Sequence, residues 1–226
     1  MTLRNKTYYH IQRPGINRNI WNKGDCLQTS RMRYNAFYSG LLRDTVGKAD
    51  ANGEPIGLIK FSNLIFDKDK NGNTIDQYND YESLFYELQD NSLEYEDLAQ
   101  RLHWALLQYL KWIREEIFES VRTEIDNKLP SRKHCIWVCT EGDLQKWWDL
   151  FKNNADNKIV ELKLDNKNQV HLGDGTLIEA DTFSIEEYKS IAKKYWSGKI
   201  DSFEEVEYSY EGEFKIINKF NDIKDI

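Results

Sequence analysis

From Ser92 or Leu93 to Pro130 the sequence sets Leu98, Leu102, Leu106, Tyr109, Ile113, Ile117, Val121 and Ile125 three or four residues apart. That spacing lays one apolar stripe along a helix and predicts an element much longer than an average globular helix. Pro130, whose ring cannot continue the helix, is the expected stop. Trp104 and Trp112 fall on a flanking surface of the same helix, so it either packs on two sides or offers an aromatic patch to a partner. A stripe of this length needs a second layer to cover it, and the rest of the chain supplies strands.

Thr7 to Ile11 reads as an opening strand, and the run from Cys135 to Cys139 as a middle one. Val160, Leu162 and Leu164 alternate, as do Val206, Tyr208 and Tyr210, and Glu211-Gly212 permits a turn into Phe214–Ile217. Two capping patterns mark further helices. Thr140 with Asp143 precedes a Trp-rich segment, and Ser184 with Glu187 precedes the helix ending near Trp196. Between residues 49 and 90 turn signals dominate, which marks an insertion. The expected architecture is one α+β domain over residues 1–226, with small, mostly antiparallel sheets flanked by helices.

Seven Trp, thirteen Tyr and ten Phe provide ample core material in a chain of 226 residues, which argues against disorder. No apolar run approaches membrane-spanning length and the segment after Met1 lacks a signal-peptide pattern, so the chain reads as cytoplasmic, with no membrane partner. A formal charge of -7 disfavours broad coating of duplex DNA, while leaving room for a local basic pocket.

Cys26, Cys135 and Cys139 form no Cys-x-x-Cys pair, and read as reduced core thiols. His10, His103, His134 and His171 lack zinc spacing. Asp67, Asp69, Asn71 and Gly72 start like a calcium loop, but Tyr78 stands where the bidentate Glu belongs, so no metal is expected. Neither a phosphate-binding Gly-rich Lys loop nor a dinucleotide Gly-x-Gly-x-x-Gly occurs. His10, in an apolar strand, either is a satisfied structural imidazole or lines a cleft. Arg13, Arg31 and Arg132 are possible phosphate clamps. Glu205 and Glu207 project from one strand face, where two buried carboxylates would compete unless cations compensate; a solvated strand face is the other reading.

Tyr8-Tyr-His-Ile, Lys23-Gly-Asp25, Leu129-Pro-Ser-Arg-Lys-His-Cys-Ile-Trp-Val, Tyr195-Trp-Ser-Gly198 and Glu207-Tyr-Ser-Tyr-Glu-Gly-Glu-Phe-Lys-Ile216 together resemble a bacterial and phage-associated family related in pattern to ADP-ribosyltransferases. The resemblance spans the chain outside residues 49–90. It implies a pair of small sheets, NAD as the substrate, Glu207 as the catalytic carboxylate and Glu205 as its companion. His10 is then the early-strand histidine that holds NAD, with Tyr9, Arg13 and Arg132 nearby, and Ser131 and Trp137 are rival matches to the middle motif. His10 and Glu207 are expected to face one cleft. The sequence departs from the family in joining a His-led first motif to Glu-x-Glu and in lacking a Ser-Thr-Ser middle motif. The implied activity is ADP-ribosyl transfer to a protein or nucleic-acid acceptor by a toxin or phage-host conflict effector, with an antitoxin or regulatory protein as partner. The alternatives are a non-enzymatic regulatory module that binds a protein through the long helix, and a metal-dependent hydrolase or nuclease built on Glu205 and Glu207.

Overall fold

A computed structural model describes residues 7–14, 20–30, 33–45, 95–151, 156–201 and 205–226, with side chains of 43–45 and 95–102 excepted. Arg31, the calcium-like loop and the expected insertion at residues 49–90 lie outside the described residues. The chain divides into two compact units, Met1–Ser39 with Arg114–Ile226, and Gly40–Ile113.

The first unit is built on two antiparallel sheets. Strands β1 (Tyr8–Gln12), β2 (Cys26–Gln28), β4 (Lys158–Leu164) and β7 (Glu213–Phe220) form one, in the order β1-β4-β7-β2. Strands β3 (Ile136–Val138), β5 (Val170–Asp174) and β6 (Val206–Tyr210) form the other, in the order β3-β6-β5. A bridge between Tyr9 and Cys139 links their edges. Helices α1 (Ala36–Thr45), α2 (Tyr95–Ile125), α3 (Glu141–Phe151) and α4 (Ile185–Trp196) complete the fold, which is α+β as expected.

Alternation along the strands sorts the core into layers. Tyr8, Val160, Leu162, Phe214 and Ile216 of the first sheet meet Val138 and Tyr210 of the second in one buried cluster, with Tyr208, Ile136 and Trp21 packed against it. The opposite face of the first sheet, Tyr9, Ile11 and Ile159, packs with Cys139 on Leu144 and Trp148 of α3. A third cluster joins Phe118 and Val121 of α2 to Ala192, Tyr195 and Trp196 of α4. Burying aromatic side chains of this size contributes several kcal/mol apiece at about 25 cal/mol per Å² of apolar surface.

Local chemistry explains the element ends. Ser184 Oγ accepts from Glu187 N at 3.2 Å while Glu187 Oε2 accepts from Ser184 N at 2.8 Å, a complete capping box at the start of α4. Thr140 behaves differently from the expected cap: its hydroxyl donates to Asp143 Oδ2 at 2.7 Å. The long helix ends at Ile125, five residues before Pro130, and Arg122 reaches forward past that end to donate to the carbonyls of Asn127 (3.0 Å) and Leu129 (2.7 Å). At Glu211-Gly212 the chain leaves the second sheet for the first. Gly212 adopts φ 157° there, and an added Cβ would lie 2.5 Å from both Asn168 Nδ2 and the Tyr210 hydroxyl oxygen.

The apolar stripe marks only part of the buried face of α2 in this unit. Val121 is buried and Ile117 packs against the same cluster, but Ile125 is exposed, and Arg114, Glu115, Phe118 and Arg122, outside the stripe, are buried. Charges reach the interior here because they pair with one another.

The second unit is described at the C-terminal end of α1 and along α2 up to Ile113. Trp104 is 57% exposed and Leu106 and Tyr109 are also exposed, while the Lys111 ammonium lies 5.9 Å from the Trp104 ring centroid. Trp112 packs edge-on against Tyr109. Among the described residues no helix is long and apolar enough to cross a membrane.

Candidate active site

Because Tyr208 and Tyr210 point between the sheets, Glu207 and Ser209 must project from the opposite face of the second sheet, toward α2 and α4. Trp137 of β3 and His171 of β5 both stand opposite Ser209, and Gly173 stands opposite Glu207. This face is the polar one.

Arg132 lies over it. Its Nε donates to Glu115 Oε2 at 2.8 Å, and its Nη1 donates to Glu207 Oε2 at 2.6 Å and to the Tyr195 hydroxyl at 2.8 Å. The Tyr195 hydroxyl in turn donates to Glu207 Oε2 at 3.2 Å. Arg114 completes the group by donating to Glu115 Oε1 at 2.7 Å and to the Ile178 carbonyl at 2.8 Å. Two guanidinium groups and two carboxylates therefore balance in charge. The Arg132 guanidinium also lies 5.1, 5.7 and 6.0 Å from the ring centroids of Tyr195, Trp137 and Phe118.

Burial alone would push the Glu115 carboxyl up, but Arg132 and Arg114 outweigh it and hold it below the usual carboxylate range. Burial opposes the charge on Arg132, and Glu115, Tyr195 and Glu207 more than restore it. Burial pushes the Tyr195 phenol well up, so it stays protonated as a donor. Glu207 is held through Oε2 alone. Its side chain is 18% exposed, and Oε1 has no partner among the described residues. The result is a carboxylate fixed in place with one oxygen available.

Gly173 makes this arrangement possible. A Cβ there would sit 2.3 Å from Tyr195 Cε2 and 2.8 Å from its hydroxyl oxygen. Tyr195 is fully buried and cannot swing aside. Gly173→Ala is expected to lower stability by about 1–3 kcal/mol, as overpacking does, which a fall in the urea midpoint would record.

The structure gathers only some of the residues expected at the site. Arg132, Trp137 and Glu207 come together. Ser131 sits beside Arg132, but its hydroxyl donates to Glu119 Oε2 at 2.9 Å and its amide to Glu211 Oε2 at 2.9 Å. Glu205 is exposed and lies just before β6, outside the Arg132–Tyr195–Glu207 hydrogen bonds. Tyr9 packs on the α3 side, and Arg13 lies over the Phe151 ring at 4.5 Å.

His10 corrects the shared-cleft expectation. Like Tyr8, two residues away on the same face of β1, it points between the sheets, where its ring stacks on Trp21 with centroids 4.8 Å apart. Its Nδ1 donates to the Trp137 carbonyl at 2.8 Å and its Nε2 is buried without a partner among the described residues. Glu207 occupies the other side of the second sheet, so the two side chains do not meet. Alternation separates them: β1 turns His10 inward with Tyr8, and β6 turns Glu207 away from Tyr208.

Sequence reasoning missed Glu115, Tyr195 and His171. Tyr195 did stand in a quoted motif, yet nothing local tells a buried hydroxyl from an ordinary core tyrosine. Cys135 and Cys139 are buried as expected, whereas Cys26 is exposed. Among the described residues no three His, Cys, Asp or Glu side chains gather in a way that could hold a metal ion.

The family described as "Protein of unknown function (DUF2441)" matches residues 8–225. The chain belongs to that family. The match takes in every element of both sheets and thus the whole Arg132–Glu207 face of this DUF2441 chain. No curated protein matches it.

Burial pushes His10 and His171 down to about 4 from 6.5. Both are neutral in the fold and take up protons more readily once unfolded. Stability is therefore complete above about pH 6.5 and falls as pH drops toward 4. At ~1.4 kcal/mol per pKa unit the loss is roughly 3 kcal/mol for His171, and less for the half-buried His10. Urea unfolding at pH 7.5, 5.5 and 4.5 should show this slope, and His171→Asn should flatten it.

Proposed function

We propose that this chain is an NAD-dependent ADP-ribosyltransferase in which Glu207 carries the chemical step. The observation that supports this reading is the Glu207 carboxylate itself, fixed through Oε2 by Arg132 and Tyr195 with Oε1 open. In ADP-ribosyl transfer the bond from ribose C1′ to the nicotinamide nitrogen breaks and its electron pair leaves with nicotinamide. A lone pair of the acceptor then forms the new bond to C1′, and the acceptor's proton passes to solvent or a base. Positive charge grows on the ribose as the first bond opens, and a preorganised carboxylate stabilises it. Arg132 and Tyr195 both hold Glu207 through Oε2, which leaves Oε1 to face the ribose.

Trp137 supplies the aromatic surface beside the carboxylate, with Phe37 edge-on to it at 5.6 Å. His10 and Tyr9 have no part in this version of the site. The acceptor is a protein or a nucleic acid, and a toxin or phage-host conflict role with a regulatory partner follows from the resemblance. The test is incubation with NAD labelled on its adenine, with cell protein, RNA and single-stranded DNA in separate pools. Label is expected in one macromolecular pool, and its absence from all three would defeat the transferase reading.

A second reading, a protein-binding module, draws on the exposed Trp104, Leu106 and Tyr109 of the second unit. Under it, Trp104→Ala weakens a specific complex while the chain releases no nicotinamide.

A further inference from the structure

Trp137, Ser209 and His171 occupy consecutive cross-strand positions on β3, β6 and β5, because both Trp137 and His171 are register partners of Ser209. Directly opposed side chains on one sheet face start about 5 Å apart. Trp137 Nε1, Ser209 Oγ and His171 Nε2 are all buried, and none has a hydrogen-bond partner among the described residues. Ser209 is fully buried and His171 nearly so. Three such atoms in one row are unusual, since each unmade bond carries most of the desolvation cost of its group.

Their capacities are complementary. The indole N–H only donates, the serine hydroxyl donates or accepts, and the imidazole nitrogen accepts in one neutral tautomer and donates in the other. Burial keeps the His171 imidazole neutral at pH 7. Aromatic walls surround the row: His171 lies 5.3 Å from the Tyr195 ring centroid and 4.8 Å from that of Trp196, and Arg132 is 5.7 Å from the Trp137 centroid. Arg132 is already committed to Glu115, Glu207 and Tyr195, so it does not turn the row into an anion site.

We infer that Trp137, Ser209 and His171 form a buried hydration site behind Glu207, one that takes a small neutral guest able both to donate and to accept hydrogen bonds, namely water. A single water can accept from the indole, exchange a bond with the serine hydroxyl and donate to the imidazole, which satisfies all three groups. The inference stands apart from NAD chemistry and is tested without it.

The experiment uses ¹⁵N-labelled full-length chain at pH 7.5, with Ser209→Ala, Trp137→Phe and the double variant. A long-lived water is expected to give a cross-relaxation signal at the Trp137 indole N–H. Ser209→Ala is expected to shift the unfolding equilibrium about tenfold toward the unfolded state, the size of one lost hydrogen bond. The two substitutions should also couple, each costing less when the other is present, because both act on one water. If the three groups were dry, removing an orphan hydroxyl would leave stability unchanged or raise it. A missing water signal at the indole, a Ser209→Ala variant as stable as the parent, or strictly additive substitutions would each overturn the inference.

Discussion

Glu115→Gln is expected to destabilise the fold by about 3–5 kcal/mol, a large share of the 5–15 kcal/mol that holds a typical domain together. The carboxylate is fully buried and is the counter-charge to both Arg114 and Arg132. Glutamine keeps the shape but leaves two buried guanidinium groups facing one remaining carboxylate, Glu207, which reaches only Arg132. Arg114→Met should cost less, because Arg132 still neutralises Glu115. Urea unfolding at pH 7.5 separates the two variants by their midpoints at a common slope. Equal, small losses in both would show that the four-charge group is not the electrostatic centre of the interior.

That centre was half legible in the sequence. The β6 alternation correctly assigned Tyr208 and Tyr210 to one face and Glu207 and Ser209 to the other, because period two depends only on strand geometry. The Ser184/Glu187 capping box was equally plain, since its chemistry is local. The long helix was expected and found, but its buried face follows the apolar stripe only at Ile117 and Val121: Arg114, Glu115 and Arg122 are also inside, while Leu106 and Ile125 are exposed. Hydrophobic periodicity assumes that charges seek water, and it fails where charges meet partners from distant segments. Arg132 is 17 residues from Glu115 and 75 from Glu207 along the chain, so no window of sequence contains the pairing. His10 failed for the opposite reason. Its strand was correctly read as apolar, and that apolar character is what places it between the sheets and away from Glu207.

The same separation sharpens what Glu207 must do. With His10 on the far side of the sheet, the candidate chemistry rests on one carboxylate, its Arg132–Tyr195 holder and the Trp137 ring. Glutamine at position 207 preserves the shape and part of the hydrogen bonding to Arg132, and removes the charge that would favour an opening ribosyl bond. Glu207→Gln is therefore expected to slow nicotinamide release by about 10²–10³ or more, comparable to removing a preorganised electrostatic group elsewhere, while NAD affinity changes far less. Glu205→Gln should release nicotinamide at the parent rate, since Glu205 is exposed and outside the hydrogen bonds that hold Glu207. The deciding measurement is nicotinamide release and NAD affinity for parent, Glu207→Gln and Glu205→Gln, each confirmed folded by circular dichroism. A parent that turns over NAD, with Glu207→Gln binding NAD but nearly inactive, is the result expected. Full nicotinamide release from folded Glu207→Gln would contradict the assignment of this carboxylate.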